Sequence, residues 1–380
     1  MFNNNIDRVI KFITDISQRI MESIRMPKKK SKSKSSELIK LIIAGKLDLD
    51  EVLNSAGGND VEDLFEIGVF YRQIYMLEVA DKIFTRILQI NPNLEKVWHN
   101  KGVTLGILGK NEEAIKCLEE AIKINPNYAE AWTDKGVLLG NLGRHQEAVK
   151  CFEEAIRIKP SYEVAWYNKG VSLGALGKNE EAIRCYENAI KINPNYAEAW
   201  YNLGVALSTL GRNEKALKCF EEAIRIKPNY AEAYSNIGVI LGDLGKYEEA
   251  IKFHENAIKI NPNFARAWYD KGVALLALGK DEEAVRCFDE AIKINPNYAK
   301  AWYNKMVVLK SLAKHEEVDR CFDEVRKINP NLAVAWHTMG LEFINLGDYE
   351  KAIEHFEEAI KINPNYVEAW SNKGVLFMTL

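Results

Sequence analysis

The chain has 380 residues, of which 47% are hydrophobic, and a formal net charge of −3. That is ample material for a core, and length alone would suggest two or three globular domains. No apolar run reaches 18 residues, so no transmembrane helix is expected. Asp7, Arg8 and Lys11 interrupt the N-terminus too early for a secretory signal, and the expected location is cytoplasmic.

Residues 1–26 read as an amphipathic helix, with Ile6, Ile10, Ile13, Ile20 and Ile24 on one face. Its polar face mixes Asp7, Arg8, Lys11, Asp15, Arg19 and Glu22. That mixture suits packing on protein better than lying on a membrane, where Lys and Arg dominate the polar face. Residues 27–36 read as a basic linker. The stretch "RMPKKKSKSK" at 25–34 holds six bases and no acid, while residues 1–24 carry three of each, so the remainder carries −9. An acidic remainder is a poor surface for nucleic acid. The tract at residues 28–34 is read as a solvated linker. The alternatives are attraction to an anionic membrane surface, and contact with nucleic acid or a localisation signal. Residues 37–60 give two short helices expected to cap the first end of a repeat array.

From residue 61 the sequence repeats with a period of 34. All eight tryptophans share one register: Trp98, Trp132, Trp166, Trp200, Trp268, Trp302, Trp336 and Trp370, with Tyr234 filling the gap. Nine of the ten prolines do the same, from Pro92 to Pro364. A worn unit occupies 61–94, eight near-identical units occupy 95–366, and a half unit occupies 367–380. Each unit predicts two amphipathic helices. In one, Trp132, Leu139 and Leu142 fall at helical spacing, Gly143 follows as a left-handed cap, and Ala148, Phe152, Ala155 and Ile156 mark the face of a second helix that Pro160 stops. Asn127 and Glu130 have the spacing of a capping box. Gly136 and Ala148 are expected to let the two helices approach closely. One such hairpin cannot bury its apolar face alone and must stack on its neighbours. The unit Ala299–Leu332 should be irregular: Met306 and Val318 replace Gly and Ala, Val325 replaces Ala, and Ala313 replaces the turn glycine. Forcing that bulk into a close approach costs on the order of 1–3 kcal/mol per site, so this hairpin is expected to open.

These residues, for example Trp166, Gly170, Leu173, Ala182, Tyr186, Ala189 and Pro194 in one unit, resemble the tetratricopeptide repeat family over residues 61–380. The resemblance implies an all-α fold, a right-handed superhelical solenoid of 34-residue helix-turn-helix units whose first helices line a concave groove. It implies a scaffold that holds an extended peptide or a helix of another protein. Long arrays in the protein O-GlcNAc transferases are the nearest analogy, and an asparagine ladder there holds substrate backbone. The matching positions, two residues past each anchor, are Asn100, Asn168, Asn202, Asn236, Asn304 and Asn372, with Asp134, Asp270 and Thr338 on the other rungs. An amide both donates and accepts, which suits a peptide unit. Tyr167, Tyr201, Tyr269 and Tyr303 stand beside them, and aromatic rings with polar tips add contact area. The same asparagines could instead tie one repeat's helix to the next. Chaperone-binding members use a carboxylate clamp with Asn directly after the glycine, but valine (Val103 to Val307) fills that position here.

No catalytic constellation is expected, so the chain is not read as an enzyme, and neither cofactor nor metal is expected. The histidines scatter over four repeat positions, and His254 takes a core aromatic position. Cys117, Cys151, Cys185, Cys219, Cys287 and Cys321 recur at one site in the second helix, too far apart for disulfides. They read as small hydrophobes. The partners expected are other proteins or peptides. Two alternatives stay open: a recruiting arm of a separate enzyme, and an adaptor held by the basic tract. Trp370, Val375, Leu376, Phe377, Met378 and Leu380 leave an apolar face on the half unit, where self-association is expected.

Overall fold

The computed structural model describes Asp50, Leu53 and residues 61–329 and 332–379. The helix expected at 1–26, the linker expected at 27–36 and nearly all of the segment at 37–60 lie outside those residues. Two compact units divide after Pro194. The first contains α1 (Val61–Gln73), α2 (Leu77–Ile90), α3 (Glu95–Ile107), α4 (Asn111–Ile124), α5 (Ala129–Asn141), α6 (His145–Ile158), α7 (Glu163–Ala175) and α8 (Asn179–Ile192). The second contains α9 (Ala197–Thr209), α10 (Asn213–Ile226), α11 (Ala231–Asp243), α12 (Tyr247–Ile260), α13 (Ala265–Ala277), α14 (Asp281–Ile294), α15 (Ala299–Ser311), α16 (His315–Ile328), α17 (Ala333–Asn345), α18 (Tyr349–Ile362) and α19 (Val367–Thr379). No strand occurs among the described residues. In each unit, odd and even helices pair as hairpins, and each hairpin packs on the next.

The repeat residues explain the hairpin. A Cβ at Gly136 would lie 2.6 Å from the ring of Phe152. The glycine therefore makes room for the ring of the second helix, and Ala148 beside it is fully buried. The chain then turns at Gly143 with φ +77°, a conformation only glycine adopts without strain. The tryptophan and proline share a register because they hold one turn together. The indole Nε1 of Trp132 donates to the carbonyl of Pro126 at 3.1 Å, and Trp98, Trp166, Trp268, Trp302 and Trp370 repeat the bond. The expected capping box does not form. Helix α5 begins after Tyr128, which makes no side-chain cap, so Asn127 lies outside the capping position. The Asn125 carboxamide oxygen instead accepts from the Asn127 N–H at 3.1 Å.

Lysines on the first helices join consecutive hairpins. Lys135 reaches Glu119 at 2.8 Å, Lys271 reaches Glu255 at 2.9 Å, and Lys305 reaches Asp289 at 2.6 Å. Each lysine also lies over its own unit's indole, at 5.8 Å for Lys135 and Trp132. Such pairs are individually weak, about 0–1 kcal/mol, but they recur at the same junction. The irregular hairpin of α15 and α16 approaches less closely than the others of its unit. Met306, Val318 and Val325 fill its interior and are fully buried, and Ala313 is forced to φ +54° at a turn where seven other repeats have glycine and the worn unit has Tyr75. At the worn unit, the Arg86 guanidinium Nε donates to the Leu53 carbonyl at 2.7 Å. No helix among the described residues is long and apolar enough to cross a membrane.

Candidate functional site

Successive first helices lie side by side within each unit, which brings the positions after each anchor into rows. All ten asparagines and tyrosines of the expected site are half-buried. The rows interlock. The residue two past an anchor reaches the residue one past the anchor of the preceding repeat, 35 positions earlier. Asn236 Nδ2 donates to the Tyr201 hydroxyl at 3.2 Å, and Asn304 Nδ2 donates to the Tyr269 hydroxyl at 3.0 Å. Asn372 Nδ2 and His337 Nε2 are 2.9 Å apart, His99 Nε2 and Asp134 Oδ2 are 2.7 Å apart, and Tyr303 and Thr338 meet at 3.4 Å.

Where the earlier residue offers no reachable group, the amide folds back. Phe65 has no hydroxyl, and Asn100 donates to the Lys96 carbonyl of its own helix at 2.8 Å. Thr133 spends its hydroxyl on the Ala129 carbonyl, and Asn168 donates to the Val164 carbonyl at 2.8 Å. One junction can do neither. Ser235 is too short to reach, and Asp270, lacking an N–H, cannot bond to its own helix as an asparagine does. Ser235 Oγ and Asp270 Oδ2 are both buried without a hydrogen-bond partner among the described residues. Arg266 Nε lies 3.3 Å from that oxygen but off the hydrogen-bond direction. Burial, with Asp243 adding repulsion, raises the Asp270 carboxyl to about 6 despite Arg266 and Lys300.

Within each unit the valines after the glycines give the first-helix face its apolar part, with Val171 of the first unit 40% exposed and Val205 and Val273 of the second 36 and 39% exposed. The tyrosine rings pack inward: Tyr167 lies 6.0 Å from Tyr186, and Tyr201 lies 4.8 Å from Tyr230 and 5.7 Å from Phe220. The 35-residue partnership between rows is not visible from repeat position alone. Its signal lies in the pairs Phe65/Asn100, Tyr201/Asn236 and Ser235/Asp270. Glu342 was equally unforeseen: it is 1% exposed and lies 3.6 Å from Lys310, an ammonium that burial holds below its usual range.

His254 packs in the core as expected, 2% exposed, and burial lowers it to about 4, so it is neutral at pH 7. All six cysteines are buried as thiols, and burial pushes Cys117, Cys151, Cys185 and Cys321 up to about 11. Among the described residues no group of three or more His, Cys, Asp and Glu is placed to hold a metal ion.

Models of the tetratricopeptide repeat match residues 129–162, 197–230, 231–264, 265–298 and 333–366, and a second TPR repeat model matches 107–143 and 173–211. Together they cover more than half of the chain, which belongs to the tetratricopeptide repeat family. No curated protein matches the sequence. Among solved structures, the chain is similar to YrrB, a TPR protein with an unusual peptide-binding site, at 25% identity over 50% of this chain and 98% of that one, with a TM-score of 0.44. It is similar to the APC/C hetero-tetramer Cut9-Hcn1 at 16% identity over 90% of this chain and 70% of that one, with a TM-score of 0.53. PilF of Pseudomonas aeruginosa matches at 19% identity over 56% of this chain and 96% of that one, with a TM-score of 0.50. These last two likenesses are of fold. Arrays of this family are protein-binding scaffolds.

Proposed function

We propose that the chain is a scaffold that holds an extended segment of a partner protein along the face of its first helices. The observation that carries this reading is the join of exposed valines to rows of half-buried amides and phenols on one face. Valine supplies apolar area to bury. An asparagine has two N–H donors and a carbonyl that accepts twice, so the single bond that Asn236 or Asn304 gives to a tyrosine leaves capacity for a peptide unit. The rows thus act twice, as ties between repeats and as readers of backbone. A second reading concerns α19, where Trp370, Phe377 and Met378 are 52, 60 and 81% exposed. That apolar surface favours self-association.

Panning a random linear peptide library against the chain tests the first reading. Selected peptides should lose binding when Val205→Glu and Val273→Glu place carboxylates on the first-helix face. They should keep it when Lys218→Glu and Lys252→Glu alter the exposed side of the second helices. The opposite pattern overturns the assignment.

A further inference from the structure

The second unit contains a partly open cavity of about 440 Å³, walled by α11, α12 and α13. Its origin is legible residue by residue. In the first unit, the side chain of Leu138 comes to 3.0 Å from a Cβ placed on Gly106. The equivalent pair here is Ala274 and Gly242, and nothing lies within 4 Å of a Cβ on Gly242. One helix turn away, Ser235 stands where other repeats have tyrosine, so no ring fills the space and no hydroxyl reaches the next rung.

What lines the cavity is unusual for this chain. His254 replaces the phenyl ring that other units seat on the glycine. It is 2% exposed, and its Nδ1 has no hydrogen-bond partner among the described residues. Asp270 and Asp243 place two carboxylates on the wall, and Asp270 Oδ2, although Arg266 Nε lies 3.3 Å away, accepts no aligned hydrogen bond among the described residues. Tyr269 gives the wall a ring, and Val273, 39% exposed, forms the rim on the first-helix face. An unpaired buried acceptor costs about 1–3 kcal/mol. Two residues with such atoms line the cavity, His254 and Asp270, and with Asp243 beside them they suit an occupant that carries donors and positive charge.

We propose that this cavity receives the guanidinium of an arginine side chain from the segment held along the first-helix face, with Asp270 and Asp243 as its counter-charges and His254 as a neutral hydrogen-bonding wall. The inference rests on the groove reading and sharpens it: the partner carries an arginine that registers on the repeat at 231–264. The guanidinium's five donors in a rigid fork suit acceptors splayed on three helices, and its weak hydration suits partial burial. A positive charge there also offsets the repulsion between Asp243 and Asp270, which charge-assisted bonds exploit.

The test uses the whole chain and the acetylated, amidated tripeptide Gly-Arg-Gly, with Gly-citrulline-Gly as the neutral isostere. The readout is the imidazole NMR signal of His254, assigned by its loss in His254→Phe. The arginine peptide should shift that signal with an affinity about tenfold above the citrulline peptide. Asp270→Asn should reduce the arginine response to the citrulline level. This variant is safe for the fold, because asparagine is the residue that other repeats carry at the rung. Equal responses to the two peptides, no response to either, or an arginine response unchanged in Asp270→Asn each overturns the proposal. Val205→Glu, one repeat away, separates the two readings. A failed cavity leaves Val205-dependent capture of library peptides intact, whereas a failed groove leaves the tripeptide response intact.

Discussion

Removing the amide of Asn304 should cost stability, whereas removing that of Asn168 should not. Asn304 bonds across the repeat junction to Tyr269 at 3.0 Å, and a half-buried neutral hydrogen bond contributes about 0.5–1.5 kcal/mol net. Asn168 bonds to the Val164 carbonyl of its own helix, a group the helix ladder already satisfies. Alanine is a better helix former than asparagine by up to about 0.7 kcal/mol. Asn168→Ala is therefore expected to be neutral or slightly stabilising, while Asn304→Ala should lie about 1 kcal/mol below it. Urea unfolding followed by circular dichroism measures the difference, and double-mutant cycles isolate the ties. The Asn304–Tyr269 cycle, with Tyr269→Phe, should give a coupling of about 1 kcal/mol, and the Asn168–Thr133 cycle, with Thr133→Ala, should give about zero. Equal couplings would refute the rule that each rung seeks the preceding repeat's aromatic residue.

Single sites carry further consequences. Ala313→Gly should raise stability by about 1 kcal/mol, because the positive φ of Ala313 strains any residue with a Cβ; an unchanged urea midpoint would argue against a strained turn. His254 is lowered to about 4 in the fold, so the unfolded chain binds its proton first as pH falls from about 6.5. Stability from this group is full above that pH and is lost on acidification through the folded value, by on the order of 3 kcal/mol at most. Asp270, raised to about 6, acts oppositely over much of that range. His254→Phe should therefore remove the acid-side loss and leave the Asp270 contribution, which stability measured at pH 7 and pH 4.5 would show. Phe377→Glu should abolish concentration-dependent self-association measured by sedimentation, and an unchanged profile would clear α19 of that role.

The hairpins were legible because their signature is steric and local. Tryptophan and proline recur together since one indole closes one turn, and glycine recurs since one ring sits against it. The irregularity at Met306, Val318 and Ala313 was legible for the same reason. The capping box was misread because sequence spacing placed Asn127 beside the helix without showing that the helix starts after Tyr128. That the asparagines tie one repeat's helix to the next was one of two readings open from the sequence, but which residue each one meets was not visible from a single repeat. Their partners sit 35 residues away, and only the stacking of first helices brings the rows together. The cavity was hidden more deeply still. It depends on three small departures, Ser235, His254 and Ala274, each of them ordinary in a single repeat, which fall close together around Gly242.

The central claim is that partners lie along the first helices, and site-specific photocrosslinking in cells tests it most directly. A benzophenone side chain placed at Val273 or Val205 should yield discrete adducts that a library-selected peptide displaces. The same group at Lys252 or Lys218, on the exposed side of the second helices, should yield none of them. The same adducts from the second-helix positions, with none from the valines, would contradict the account.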